Sequence, residues 1–178
     1  MNRETIETLL PVNFRRSVQP LSPLSALLDV MESMVRPAEA TLEGLDRFFD
    51  SRRTPERFVP YLARWVDHGP LLDRLTEELG GGEFPSGNGR LRDLVALAAD
   101  LSHWRGTRRG MIAFLEVGTG LAGFDIEEHA DGRPFHLRVT APPGAEAQRV
   151  LITSVVEQEK PAYTTYELVF TDTRPGGS

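Results

Sequence analysis

Three arginines, Arg105, Arg108 and Arg109, fall within the seven residues Trp104-Arg105-Gly106-Thr107-Arg108-Arg109-Gly110. Guanidinium groups crowded at a helix start are suited to holding phosphate or another anion, and Trp104 beside them offers a face on which a base could stack. Against that reading, a phosphate-binding loop needs spaced glycines followed by Lys and Ser or Thr, which this segment lacks. Arginines at such a place also cap carbonyls or pair with neighbouring helices. A second group, Glu127, Glu128 and His129 with His136 a few residues on, contains the residue types of general acid and base catalysis. A solvated hairpin face accounts for it more simply. The four histidines, His68, His103, His129 and His136, have no spacing that suggests a shared metal site, and the chain has no cysteine, which excludes disulfides and thiolate chemistry. No nucleophile elbow, HExxH helix or nucleotide fingerprint occurs. The chain is therefore expected not to be an enzyme, with no catalytic residue, no cofactor and no metal.

The elements that must position these residues are legible from periodicity. Leu91, Leu94, Val95, Ala98 and Leu101 predict one amphipathic helix over 90–105. Gly106 suits the left-handed position that follows a helix, Thr107 can cap the next one, and Met111, Ile112, Phe114 and Leu115 give that next helix its apolar face before Gly118 and Gly120 end it. After Gly120 the period changes to that of strands. Phe124, Ile126 and Glu128 alternate with polar neighbours, as do Phe135, Leu137 and Val139, and Asp131-Gly132 between them is a turn signal. Val150, Leu151, Val155 and Val156 return to helical spacing, Pro161 stops that helix, and Tyr166, Leu168 and Phe170 form a third strand.

Upstream, Leu24, Leu28, Met31, Val35, Ala38, Leu42, Leu45 and Phe49 step by four and three, the heptad spacing of a helical seam. The stripe reads either as a partner-facing bundle helix or as an internal core helix, toward which Leu27, Met34 and Phe48 widen it. Pro37 should kink or divide the helix by removing a backbone donor. A further helix is predicted to start at Thr54 as cap and Pro55 as first residue, burying Phe58, Leu62, Trp65 and Val66, with Pro60 bending its turn. Another short helix spans about 70–79. The stretch 80–89 reads as a glycine-rich surface loop in which Phe84 packs locally or makes a contact.

The fold class that follows is α+β: an N-terminal helical region of about four to five helices, then a small antiparallel β-β-α-β sheet subdomain. The divisions are an N-terminal arm at 1–22, extended or with one short helix; a helical domain at 23–120 with the bundle helix at 24–49; the sheet subdomain at 121–171; and a flexible tail at 172–178. With 178 residues, 40% of them apolar and 26% charged, the chain is long enough to bury a core. A net charge of −6 argues against a protein whose main work is coating nucleic acid. No basic-then-apolar leader and no run near the roughly 20 apolar residues of a spanning helix are present, so no membrane insertion and a cytoplasmic location during assembly are expected.

Three segments in order carry a family likeness. Leu101-Ser102-His103-Trp104-Arg105-Gly106-Thr107-Arg108-Arg109-Gly110 with Leu115-Glu116 and Thr119-Gly120, the upstream Thr54-Pro55 followed by the Trp65 helix, and Lys160-Pro161-Ala162-Tyr163-Thr164 before the last strand together resemble the phage tail protein I family of contractile tails, over about residues 10–170. Tyr163 stands where that family often has His, and the 80–89 insert is longer than its pattern. The resemblance implies a non-enzymatic baseplate wedge component of a phage tail or contractile injection particle, joining two copies of a larger wedge protein and touching other baseplate or sheath-proximal proteins. It places the partner interface on Leu24, Leu28, Met31, Val35, Leu42, Leu45 and Phe49, and implies no small-molecule substrate. The alternative is a nucleic-acid or phosphate-binding module built on Arg105, Arg108 and Arg109; a small hydrolase using Glu127 and His129 ranks third.

Overall fold

The computed structural model describes residues 3–171; the tail expected at 172–178 lies outside them. Contacts divide the chain into two units between Phe49 and Asp50.

The first unit is helical, and the segment expected as an arm holds α1 (Arg3–Leu9) and α2 (Val12–Arg15). It continues with α3 (Pro23–Glu43) and α4 (Leu45–Phe49). Ser22 starts α3, its hydroxyl accepting the Ser25 N–H at 3.1 Å while Pro23 takes the first turn, where a missing N–H costs nothing. The expected single helix over 24–49 is two, and the division is not at Pro37. The helix runs through Pro37, flanked by intact turns in which Thr41 Oγ1 donates to the Pro37 carbonyl at 3.0 Å. It stops instead at Gly44 (φ −98°, ψ 15°). A proline removes one hydrogen bond from a long ladder, whereas glycine, poorly disposed to helix, lets the chain leave the ladder altogether. α1 packs on α3, with Ile6 and Leu28 both buried and the Arg3 guanidinium reaching Asp29 at 2.6 Å and Ser25 Oγ at 2.8 Å.

The second unit begins with a 3-10 turn at Glu56–Phe58, then α5 (Val59–Trp65), α6 (Gly69–Leu79), α7 (Asn88–Ala96), α8 (Ala98–His103) and α9 (Arg108–Thr119). Two prolines five residues apart explain the first of these. Pro55 precedes the 3-10 turn and Pro60 opens α5, so each occupies a helix start and Pro60 does not bend a helix already begun at Thr54. The buried face of α5 is Val59, Leu62 and Ala63, while Trp65, expected inside, is exposed. The predicted helix over 90–105 is broken at Leu97 (φ −98°, ψ 5°) into α7 and α8. Leu91, Leu94, Ala98 and Leu101 are nonetheless all buried, because three- and four-residue steps survive one slack residue.

β1 (Asp125–Glu128), β2 (His136–Ala141), α10 (Arg149–Glu159) and β3 (Thr165–Phe170) complete the unit. The class is α+β, with ten helices among the described residues, most of them N-terminal to the three-stranded sheet. The sheet order is β1-β2-β3, and Ile126 opposite Val139 sets the antiparallel register of the first pair. The second pair corrects the expectation of an all-antiparallel sheet: β2 and β3 run parallel, with Val139 opposite Leu168. The reason is α10, a crossover that returns the chain to the end at which β2 began. The core lies between this sheet and the helices, where Leu151, Ile152, Val155 and Val156 of α10 meet Met111, Phe114 and Leu115 of α9 with Leu71 of α6 and Leu94 of α7. Phe84 is buried in the same cluster, and Ser86 Oγ donates to the Gly118 carbonyl, so the glycine-rich segment is pinned to the body at its second half.

Candidate functional site

The α8–α9 joint forms as its residue types require. Gly106 adopts φ 73°, in the left-handed region that Cβ-bearing residues avoid, and Thr107 caps α9. The Thr107 hydroxyl accepts the Gly110 N–H at 3.0 Å and donates to the Trp104 carbonyl at 2.7 Å. Gly110 is fixed by close approach: a Cβ there would lie 2.0 Å from the Trp104 carbonyl oxygen.

Each arginine of the joint already has a partner. Arg105 donates to Asp67 at 2.6 Å and lies 3.5 Å from the carboxylate of Glu159, whose side chain is buried. The hydrogen bond that Arg105 donates to Asp67, ahead of the pull of the Glu159 charge, raises the Arg105 pKa. Arg108 pairs with Asp125, and the Arg109 guanidinium sits over the Trp104 ring at 4.5 Å. The joint thus ties the α5–α6 connection, α10 and β1 to one point. Chemically this is a clamp, and the cations that an anion would need are spent on it. The partners Asp67, Glu159 and Asp125 carried no signal in the sequence, since they lie 17 to 54 positions away.

The hairpin residues separate. Glu127 is drawn to Arg138 at 2.9 Å, and Arg138 also binds Asp131 at 2.8 Å and pairs with Glu167. The hydrogen bonds and charge of Arg138 hold Asp131 below the usual carboxylate range. Glu128, His129 and His136 instead line a cavity of about 250 Å³ with Thr107, Arg108 and Met111. His136 Nδ1 is 2.8 Å from Thr165 Oγ1, and its buried Nε2 has no hydrogen-bond partner. Asp131-Gly132 turns the chain between the two antiparallel strands, as expected, within a 3-10 turn at Ala130–Gly132 around which His129, Asp131 and Phe135 all take positive φ. His68 lies elsewhere, buried against Phe114 with Nε2 3.2 Å from the Leu94 carbonyl, and burial pushes its pKa down. His103 stands edge-on to Trp104 at the joint. A wider groove of about 620 Å³ runs between α5, α6, the glycine-rich segment and α7.

The heptad stripe divides in two. Leu28 is 1% exposed and Leu24 is half-buried, at the level where α1 packs on α3. Leu28 therefore belongs to the interior of the unit and not to a partner surface. From Met31 onward the row opens: Val35 is half-buried, but Met31, Leu42, Leu45 and Phe49 are exposed, Leu42 to 65%. Leu27 and Met34 widen it, Met34 being 74% exposed. The apolar row is thus open to solvent along the second half of α3 and on into α4. Among the described residues no helix is long and apolar enough to cross a membrane. Comparison of the chain with protein-family models and with curated proteins gives no match.

Proposed function

We propose that this chain is a structural baseplate wedge component of a contractile tail or contractile injection particle. In this reading it joins two copies of a larger wedge protein through helical bundle contacts on α3 and α4, assembles in the cytoplasm and becomes part of the particle. Other baseplate or sheath-proximal proteins contact it, and it links sheath contraction to baseplate rearrangement. The observation that carries the reading is the open row Met31, Leu42, Leu45. Side chains half out of water on a helix forgo about 1 kcal/mol each of burial, which a bundle partner would supply. The kind of assembly comes from the sequence resemblance. The clamped joint supports the mechanical half of the proposal, since a subunit that passes force between neighbours needs its own helices locked. The nucleic-acid alternative gains nothing from the geometry, because Arg105, Arg108 and Arg109 are engaged within the chain.

The test is co-expression with the larger wedge protein encoded beside this chain, followed by size exclusion with light scattering. One copy of this chain per two of the partner is expected. A folded monomer that ignores that partner refutes the proposal.

A further inference from the structure

The two edges of the sheet are built differently. β1 has Asp125, Glu127 and Glu128 among its four residues, and charge along an edge strand discourages another strand from pairing there. β3 reads Thr165-Tyr166-Glu167-Leu168-Val169-Phe170, rich in aromatic and β-branched residues, with no proline and a single charge. That charge, on Glu167, pairs with Arg138 of the neighbouring strand. One edge is guarded and the other is not.

The phase of the ladder identifies the groups of β3 that are left over. The Thr165 N–H donates to the Phe135 carbonyl at 2.9 Å, and the Thr171 N–H to the Ala141 carbonyl at 3.1 Å. Alternate residues of a parallel pair bond to the neighbouring strand, so Glu167 and Val169 also face β2, while the backbone N–H and C=O groups of Tyr166, Leu168 and Phe170 point away from it. Among the described residues those outward groups have no hydrogen-bond partner. Unpaired strand backbone is a template for a further strand.

The row is complementary to itself. Two β3 strands laid antiparallel about Leu168 bring each Tyr166 opposite Phe170 of the other copy and each Glu167 opposite Val169. Every outward N–H and C=O then meets its counterpart, and the aromatic pairs lie on the side of the sheet that carries Ile126 and Val139. Slipping the register by two residues one way sets Glu167 against Glu167 of the other copy. Slipping it the other way takes Tyr166 out of the pairing.

We infer that β3 pairs antiparallel with β3 of a second copy of this chain, centred on Leu168, so that one sheet runs through a dimer. The inference goes beyond the baseplate reading and does not rest on it, because pairing doubles both members of a complex and leaves their ratio unchanged.

The test follows the mass of the full chain by light scattering over a concentration series reaching about 1 mM, and wild type is expected to move from monomer to dimer. Val169 takes the diagnostic substitutions, being 40% exposed on the sheet face away from Ile126 and Val139. Arg138 is shared among Glu127, Asp131 and Glu167, so the surroundings of Glu167 stay acidic. Val169→Glu sets like charges together at both crossings and should weaken dimerisation about tenfold, whereas Val169→Lys should leave it as tight as wild type or tighter. The native chain has no cysteine, so an oxidised mixture of Glu167→Cys and Val169→Cys chains should yield the mixed disulfide in preference to either self-linked product. A wild-type chain that stays monomeric throughout, equal weakening by Glu and Lys at position 169, or a dimer broken by Met34→Glu on α3 and kept by Val169→Glu overturns the inference.

Discussion

Replacing Gly110 by alanine adds one carbon where the chain has no room for it. The new Cβ would lie 2.0 Å from the carbonyl oxygen and 2.7 Å from the carbonyl carbon of Trp104, both backbone atoms that no rotamer change can move. Relief requires the joint to open, which strains the Thr107 cap and the Arg105 and Arg108 pairs that start from it. Overpacking of this kind costs about 1–3 kcal/mol, and loss of a helix cap about 1 kcal/mol more, so a destabilisation of about 3 kcal/mol is expected. For a unit of this size that is a fall in melting temperature of about 10 °C. The same helix provides the control. At Gly118 a Cβ would meet only Leu94 side-chain carbons, at 3.7 and 4.0 Å, an ordinary contact. Gly118→Ala should therefore stabilise by up to about 1 kcal/mol through helix propensity. Urea unfolding of the two variants beside wild type measures both. A Gly110→Ala chain within about 0.5 kcal/mol of wild type, or two variants that behave alike, would refute the account of the joint.

Further outcomes follow from the same contacts. The folded His68 pKa lies below its ordinary 6.5 because burial disfavours the imidazolium, so the unfolded chain takes up the proton first. Stability should be full above about pH 6.5 and fall below it, at a slope of no more than about 1.4 kcal/mol per pH unit from this group, and urea melts of His68→Gln should show a flatter dependence over that range. Arg92 donates to the carbonyls of Ser51 and Thr54 at 2.6 and 2.9 Å, so Arg92→Ala leaves two acceptors unmet and should cost about 1–3 kcal/mol by the same assay. Leu28→Glu and Leu42→Glu should part company: the first drives a charge into the α1–α3 contact and loses helicity by far-ultraviolet circular dichroism, while the second stays within about 0.5 kcal/mol of wild type and loses the wedge complex.

The fold class, the caps at Thr107 and Gly120 and the strand at 165–170 were legible in the sequence because each depends on a few adjacent residues. What escaped depends on the rest of the molecule. Leu97 breaks a helix without disturbing the apolar spacing around it, and Trp65 is exposed because Val59 and Ala63 take the buried side of α5. The parallel pairing of β3 is a matter of topology, set by where α10 returns the chain and not by the residues of the strand itself. At the candidate interface, periodicity placed Leu28 and Leu42 in one row. Only the position of α1 separates the buried residue from the exposed one. The arginines of the joint drew attention by their number, whereas their meaning lies in the distant carboxylates Asp67, Glu159 and Asp125.

The parallel pairing of β2 with β3 also fixes an order of events during synthesis. β1 and β2 close through a short connection and can meet as soon as both have left the ribosome. The inner edge of β2 must then wait until residues 142 to 164, with α10 among them, have been made and folded back. Until that time the middle strand of the finished sheet is an edge, and a two-stranded ribbon is marginal by itself. A chain halted before Thr165 therefore leaves the Val139 and Ala141 backbone open to pairing with another chain.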